Sequence, residues 1–263
     1  MSENNAPPVA SSDLSATIGY DAYGFPDDME YLPSSDVATL VGNHHKRWAH
    51  YWKAATREAG GTPTHLPRTR LLRELVWGGV PAAFRGYVWT VLLGVPERRH
   101  ARPGHYAALL ALEPVAEGAA GDGEAARGAA DSEAAEQIRK DADRTWPRHR
   151  WLDAGALVRV LVAFARHNRA IGYCQGLNTV AAVFLLFMGE EDAFWCLVQL
   201  VESRMPAGFW SDTLWRSRVE QEVLNALVGR RMPALRRTLR SQRLALEVRS
   251  HLRRMRCEER RAN

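Results

Sequence analysis

Two side chains near the middle of the chain combine a reactive residue type with a specific setting: Arg144 and Gln175. Arginine carries a planar, permanently charged fork that engages phosphate oxygens two at a time. Glutamine offers one acceptor and an amide donor pair, enough to orient a water molecule. Phosphoryl transfer to water needs those two services: neutralisation of the charge that develops, and aim for the attacking water. Neither residue type is informative alone, because a single arginine is usually a solvated surface charge and a glutamine before glycine usually opens a helix. The surroundings raise them. Arg144 stands in Ile138-Arg-Lys-Asp141-Ala-Asp-Arg144-Thr145-Trp146-Pro147, and Gln175 in Ile171-Gly172-Tyr173-Cys174-Gln175-Gly176-Leu177-Asn178.

An apolar segment, Ala156 to Ala165, lies between the two motifs and must hold them in a fixed relation. Asp153 can cap a helix running to about His167. Leu157, Val160, Leu161 and Phe164 recur at i, i+3, i+4 and i+7, the stripe of an amphipathic helix, with Arg159 and Arg166 at its solvated edge. The next helix, from about Gln175 to Met188, is apolar nearly all round and is expected at the centre. Glu190-Glu191-Asp192 favours the start of a third helix with Phe194, Trp195, Leu197, Val198 and Val201 inward, ended by Pro206. Upstream, the pattern predicts helices over Asp36–Arg57, Arg68–Trp77 and from Pro81 to Leu93, where Gly94 stops the last one. Pro114 to Ser132 reads as a low-complexity loop. Further helices are expected over Val219–Leu227 and from Met232. Period-2 alternation of β-branched residues is absent, so the fold class is all-α.

The spacing I-x-x-D-x-x-R-T-x-P followed by G-Y-C-Q-G-L-N resembles the paired signature of TBC-domain Rab GTPase-activating proteins. Gly79-Val80-Pro81, Arg85, Val88-Trp89 and Leu92-Leu93-Gly94 look like that domain's opening helix. The lead-in Tyr23-Gly24-Phe25 is similar to that of some members, and reads as a turn that docks on another part of the chain. The resemblance implies an all-α, multi-helix domain that acts on GTP bound to a Rab-family small GTPase. It implies roles for Arg144 as arginine finger and Gln175 as glutamine finger, both in trans, with Asp141 holding the arginine and Tyr173 and Gly176 completing the second motif. It further implies a regulator of an enzyme rather than an enzyme, a role in vesicle trafficking and a cytoplasmic location, with peripheral recruitment to endomembranes left open.

The resemblance runs from about Arg68 to Leu239. It divides the chain into a partly disordered lead-in (1–67), a TBC domain (68–239) and an arginine-rich tail (240–263). The tail reads either as an amphipathic helix or as an unfolded terminus. The domain is expected to lack its later helices, which would leave an apolar patch over the helices at Val180 and Phe194. No G-x-x-x-x-G-K-[ST] loop is present, so the chain needs no nucleotide cofactor of its own, and GTP and Mg²⁺ would come with the partner. Three cysteines without a C-x-x-C pair make a zinc site unexpected. Of the net charge of +5, twelve arginines against three glutamates from Arg230 onward contribute +9, leaving −4 elsewhere. Basicity confined to the tail, without a groove-reading motif, gives no support to a nucleic-acid partner. The longest apolar run, Val180 to Met188, is too short for a transmembrane segment. The competing reading is a TBC-like scaffold that docks a GTPase without activating it.

Overall fold

Helix formers, apolar stripes at helical spacing and well-placed caps dictate the elements of the first compact unit, Met1–Arg204. The computed structural model describes residues 23–25, 35–63, 65–112, 122–210 and 215–241. The expected disorder of 1–19, the first part of the expected loop, 114–121, and the tail from 242 on lie outside them. Among the described residues there is no strand. The described residues of this unit form nine helices: α1 (Ser35–Ala59), α2 (Arg70–Trp77), α3 (Ala82–Leu93), α4 (Val95–Ala101), α5 (His105–Leu110), α6 (Asp122–Arg144), α7 (Ala154–His167), α8 (Leu177–Leu185) and α9 (Glu190–Gln199), the last continuing into a π-helical turn at Leu200–Arg204.

Local chemistry sets most boundaries. Thr69 caps α2 by accepting from the Leu72 amide at 3.1 Å. Gly94 ends α3 in the left-handed region at φ 77°, where a side chain would be strained. Asp153 caps α7 by accepting from the Gly155 amide at 2.8 Å. One correction concerns the low-complexity reading of Pro114 to Ser132: α6 already begins at Asp122, so the second half of that stretch is helical. Alanine, glutamate and arginine are strong helix formers there, and they outweigh the glycines that suggested a loop.

Two apolar clusters hold the unit. The first gathers α1 to α3 around Trp48, Leu72, Leu75, Val80 and Val88. Trp48 is fully buried, and its indole N–H donates to the Gly79 carbonyl at 2.9 Å, so its one polar atom is satisfied. Trp89 is half-buried and meets Phe184 and Phe187 edge-on, while its neighbour Val88 takes the core position. The second cluster packs α7 against α8 and α9 through Leu157, Leu161, Phe164, Leu177, Phe194 and Trp195. Arg159 is more than a solvated edge: it grips Glu190, at the start of α9, with bonds of 2.9 and 2.6 Å, and Tyr106 donates to the same carboxylate at 2.8 Å. These bonds hold the Glu190 carboxyl below the usual carboxylate range.

The second unit spans Met205–Asn263, and its described helices are α10 (Trp215–Arg231) and α11 (Pro233–Ser241). They are joined at Met232, whose amide donates to the Val228 carbonyl at 2.9 Å. Val219, Val223 and Leu227, four residues apart, form an exposed stripe on α10. Of the apolar patch expected over the Val180 and Phe194 helices, the part on α9 is covered among the described residues, whereas Val180 and Val183 on α8 are only half-buried. Phe194, Trp195 and Val198 are fully buried, because α3, α4, α7 and α8 all pack on α9.

Candidate functional site

The site begins with the pitch of α6. Ile138, Asp141 and Ala142 face inward and are no more than 4% exposed, so Arg144 emerges on the opposite, solvent-facing side in the last turn. A cation is favoured at that helix end. Thr145 closes the helix: its hydroxyl donates to the Asp141 carbonyl at 2.6 Å, and its amide to the Ala142 carbonyl at 3.0 Å.

From α7 the chain turns through Asn168 and Gly172 into the second motif. The Asn168 side chain accepts from the Ile171 amide at 3.1 Å. The expected helix from Gln175 to Met188 is shorter, Leu177–Leu185, because Gly176 sits at φ 102° and interrupts helical geometry. Gln175 therefore stands on a loop just ahead of α8, half-buried, instead of inside the helix.

Two hydrogen bonds clamp the motifs together. The Tyr173 hydroxyl donates to Asp141 Oδ2 at 2.8 Å. The Asn178 amide donates to Thr145 Oγ1 at 2.8 Å, while the Asn178 carbonyl oxygen accepts from the Gly176 amide at 3.0 Å. Thr145 Oγ1 thus spends its one proton on α6 and receives one from α8. Burial, and next the bond to Asp141, pushes the Tyr173 phenol far above its ordinary range, so it stays a proton donor.

Of the predicted site residues, Asp141, Tyr173 and Gly176 take part in this cluster, and Arg144 and Gln175 are their neighbours along the chain. Among the described residues, however, no ion pair joins Asp141 to Arg144; Asp141 acts on Tyr173. The Arg144 guanidinium and the Gln175 side-chain amide form no hydrogen bond among the described residues. Thr145 and Asn178 join the clamp without having been assigned a role from the sequence. Both stand in the two motifs, but neither motif assigns them a partner. Among the described residues no three His, Cys, Asp or Glu side chains gather to hold a metal ion, and no helix is long and apolar enough to cross a membrane.

A family model described as the Rab-GTPase-TBC domain matches residues 82–250. The chain is 37% identical over 249 residues to mouse (Mus musculus) TBC1 domain family member 2A, covering 89% of this chain and 25% of that protein. It is 32% identical to human (Homo sapiens) TBC1 domain family member 2B over 82% of this chain and 23% of that protein. Among solved structures, the crystal structure of the Chlamydomonas flagellar RabGAP TBC domain superposes with a TM-score of 0.62 at 26% identity, over 84% of this chain and 69% of that one. The chain belongs to the Rab-GTPase-TBC domain family. It spans about a quarter of the length of the TBC1 relatives it matches.

Proposed function

We propose that this chain accelerates GTP hydrolysis on a Rab-family small GTPase, with Arg144 and Gln175 supplied in trans. The observation that carries the reading is the contrast within the clamp. Asp141, Tyr173, Thr145 and Asn178 are all engaged, and they hold rigid the ends from which Arg144 and Gln175 project with no hydrogen-bond partner among the described residues. A preorganised backbone with uncommitted side chains suits groups that must meet developing charge on another molecule at little reorganisation cost. Arg144 would bridge the transferred phosphoryl oxygens, and Gln175 would align the attacking water. GTP and Mg²⁺ would arrive with the GTPase. An arginine supplied in this way is worth about 10³–10⁵ in rate. The Rab-GTPase-TBC family and the similarity to the Chlamydomonas flagellar RabGAP TBC domain support the same class of partner. The test is single-turnover hydrolysis across a panel of GTP-loaded Rab proteins. Acceleration of at least one member is the expected result; binding without acceleration would favour the docking-scaffold reading instead.

A further inference from the structure

The tripeptide Tyr23-Gly24-Phe25 lies more than a hundred residues ahead of the loop that follows Arg144, yet it is bound to that loop along its length. The Arg150 amide donates to the Gly24 carbonyl at 2.9 Å. His149 Nδ1 accepts from the amides of Trp151 and Leu152 at 3.1 and 3.0 Å, which puts its proton on Nε2, and Nε2 donates to the Tyr23 carbonyl at 2.8 Å. The Phe25 ring meets Trp146 edge-on at 4.9 Å and His149 at 4.6 Å. Trp151 covers Gly24 so closely that a Cβ there would lie 2.6 Å from its ring, and Gly24 itself sits at φ 87°. The other end of the tripeptide is fixed to the helical body. The Arg85 guanidinium lies 5.1 Å from the Tyr23 ring centre and bonds its hydroxyl at 3.4 Å, and Phe187 meets the same ring edge-on at 6.5 Å. Arg85 is held in turn by its Nε bond to the Val80 carbonyl at 2.8 Å.

The loop needs such a support. Trp146, two residues after Arg144, adopts φ 47°, a costly conformation for a bulky side chain that persists only when its surroundings impose it. Thr145 is anchored on one side through Asn178, and Phe25 packs on Trp146 on the other. We infer that Tyr23-Gly24-Phe25 is a strap that positions the arginine: it fixes the backbone turn at Trp146 and so sets the direction in which Arg144 leaves α6. Gly24 and Phe25 are then positioning residues for GTP hydrolysis, acting through the turn at Trp146. The inference rests on the proposed role of Arg144.

The experiment compares the full chain with Phe25→Ala, Gly24→Val, the conservative Phe25→Tyr and the control Arg144→Ala. One arm measures single-turnover hydrolysis on the most responsive GTP-loaded Rab protein of the panel. The other measures hydrogen exchange over residues 145–151. Phe25→Ala and Gly24→Val should lower the maximal rate at least about tenfold while the half-saturating concentration stays within about twofold. Phe25→Tyr should keep most of the rate. In the exchange arm the Arg150 amide should lose about tenfold or more of its protection in Phe25→Ala. Unchanged exchange in Phe25→Ala and Gly24→Val would overturn the strap whatever the rates. Full rates in both, with Arg144→Ala inactive, would overturn the strap and leave the arginine's role standing. Full rates in Arg144→Ala would overturn the arginine's role, and the positioning inference with it.

Discussion

Replacing Tyr173 by phenylalanine removes a single oxygen and leaves the ring to pack as before. That oxygen donates to Asp141 Oδ2 at 2.8 Å, and Asp141 is only 4% exposed. A hydrogen bond to a charged group contributes about 1.5–3 kcal/mol, and a buried acceptor stranded without its donor costs a similar amount. Tyr173→Phe should therefore destabilise the chain by about 2 kcal/mol. In a domain of about 150–250 residues, that lowers Tm by about 4–8 °C. Asp141→Asn keeps an acceptor of the same shape and loses only the charge assistance, so it should cost about 1 kcal/mol. In the double variant the two losses should not add, and the coupling should be about 1–2 kcal/mol. Urea unfolding followed by far-UV circular dichroism gives the stabilities. Hydrolysis on a responsive Rab protein should fall about tenfold or more with Tyr173→Phe, because the loop carrying Gln175 loses its tie to α6. Additivity of the two single variants within about 0.3 kcal/mol would refute the clamp.

Gln175→Ala should slow stimulated hydrolysis by about 10²-fold or more even when the GTPase keeps its own glutamine, as read in single-turnover assays; an unchanged rate would show that water is oriented from the GTPase alone. Gly86→Ala places a Cβ against the Phe187 backbone carbonyl, a neighbour that cannot swing away, and should cost about 1–3 kcal/mol in urea unfolding. His105 Nε2 and His167 Nδ1 lie 2.9 Å apart, and burial depresses both imidazoles below their usual range. Arg102 adds to the effect at His105, whereas Glu202, 3.3 Å from His167, partly opposes it there. Unfolded imidazoles take up protons near pH 6.5 and the folded pair only at lower pH, so the unfolded state gains protons first and stability falls as pH drops below about 6.5. Tm measured from pH 7.5 to 5 should show that decline, and His105→Phe should flatten it.

The parts of the fold that were legible in the sequence are those set by local periodicity and caps. Leu157, Val160, Leu161 and Phe164 announce α7, Asp153 starts it, and Gly94 stops α3. These follow from 3.6-residue spacing and the backbone freedom of particular residues. Other features depend on partners distant in sequence. Asp141 and Thr145 meet Tyr173 and Asn178 more than thirty residues on, and nothing in either motif alone says that the aspartate turns to a tyrosine instead of to Arg144. Val88 takes the core position beside a half-buried Trp89 because Trp48, from α1, fills the space on that side. The start of α6 was hidden for a compositional reason: alanine and glycine interleave between 122 and 130, and a low-complexity pattern does not reveal whether the glycines or the helix formers prevail.

The central claim is that Arg144 acts on GTP bound to another protein, and its most direct test is Arg144→Lys in single-turnover hydrolysis on the most responsive Rab protein. Lysine keeps the positive charge and the helix but loses the two-pronged fork that spans phosphate oxygens. The expected result is a loss of about 10²-fold or more in stimulated rate with Tm unchanged, since the Arg144 side chain makes no hydrogen bond or ion pair among the described residues. An Arg144→Lys variant that stimulates hydrolysis at the wild-type rate would contradict the account.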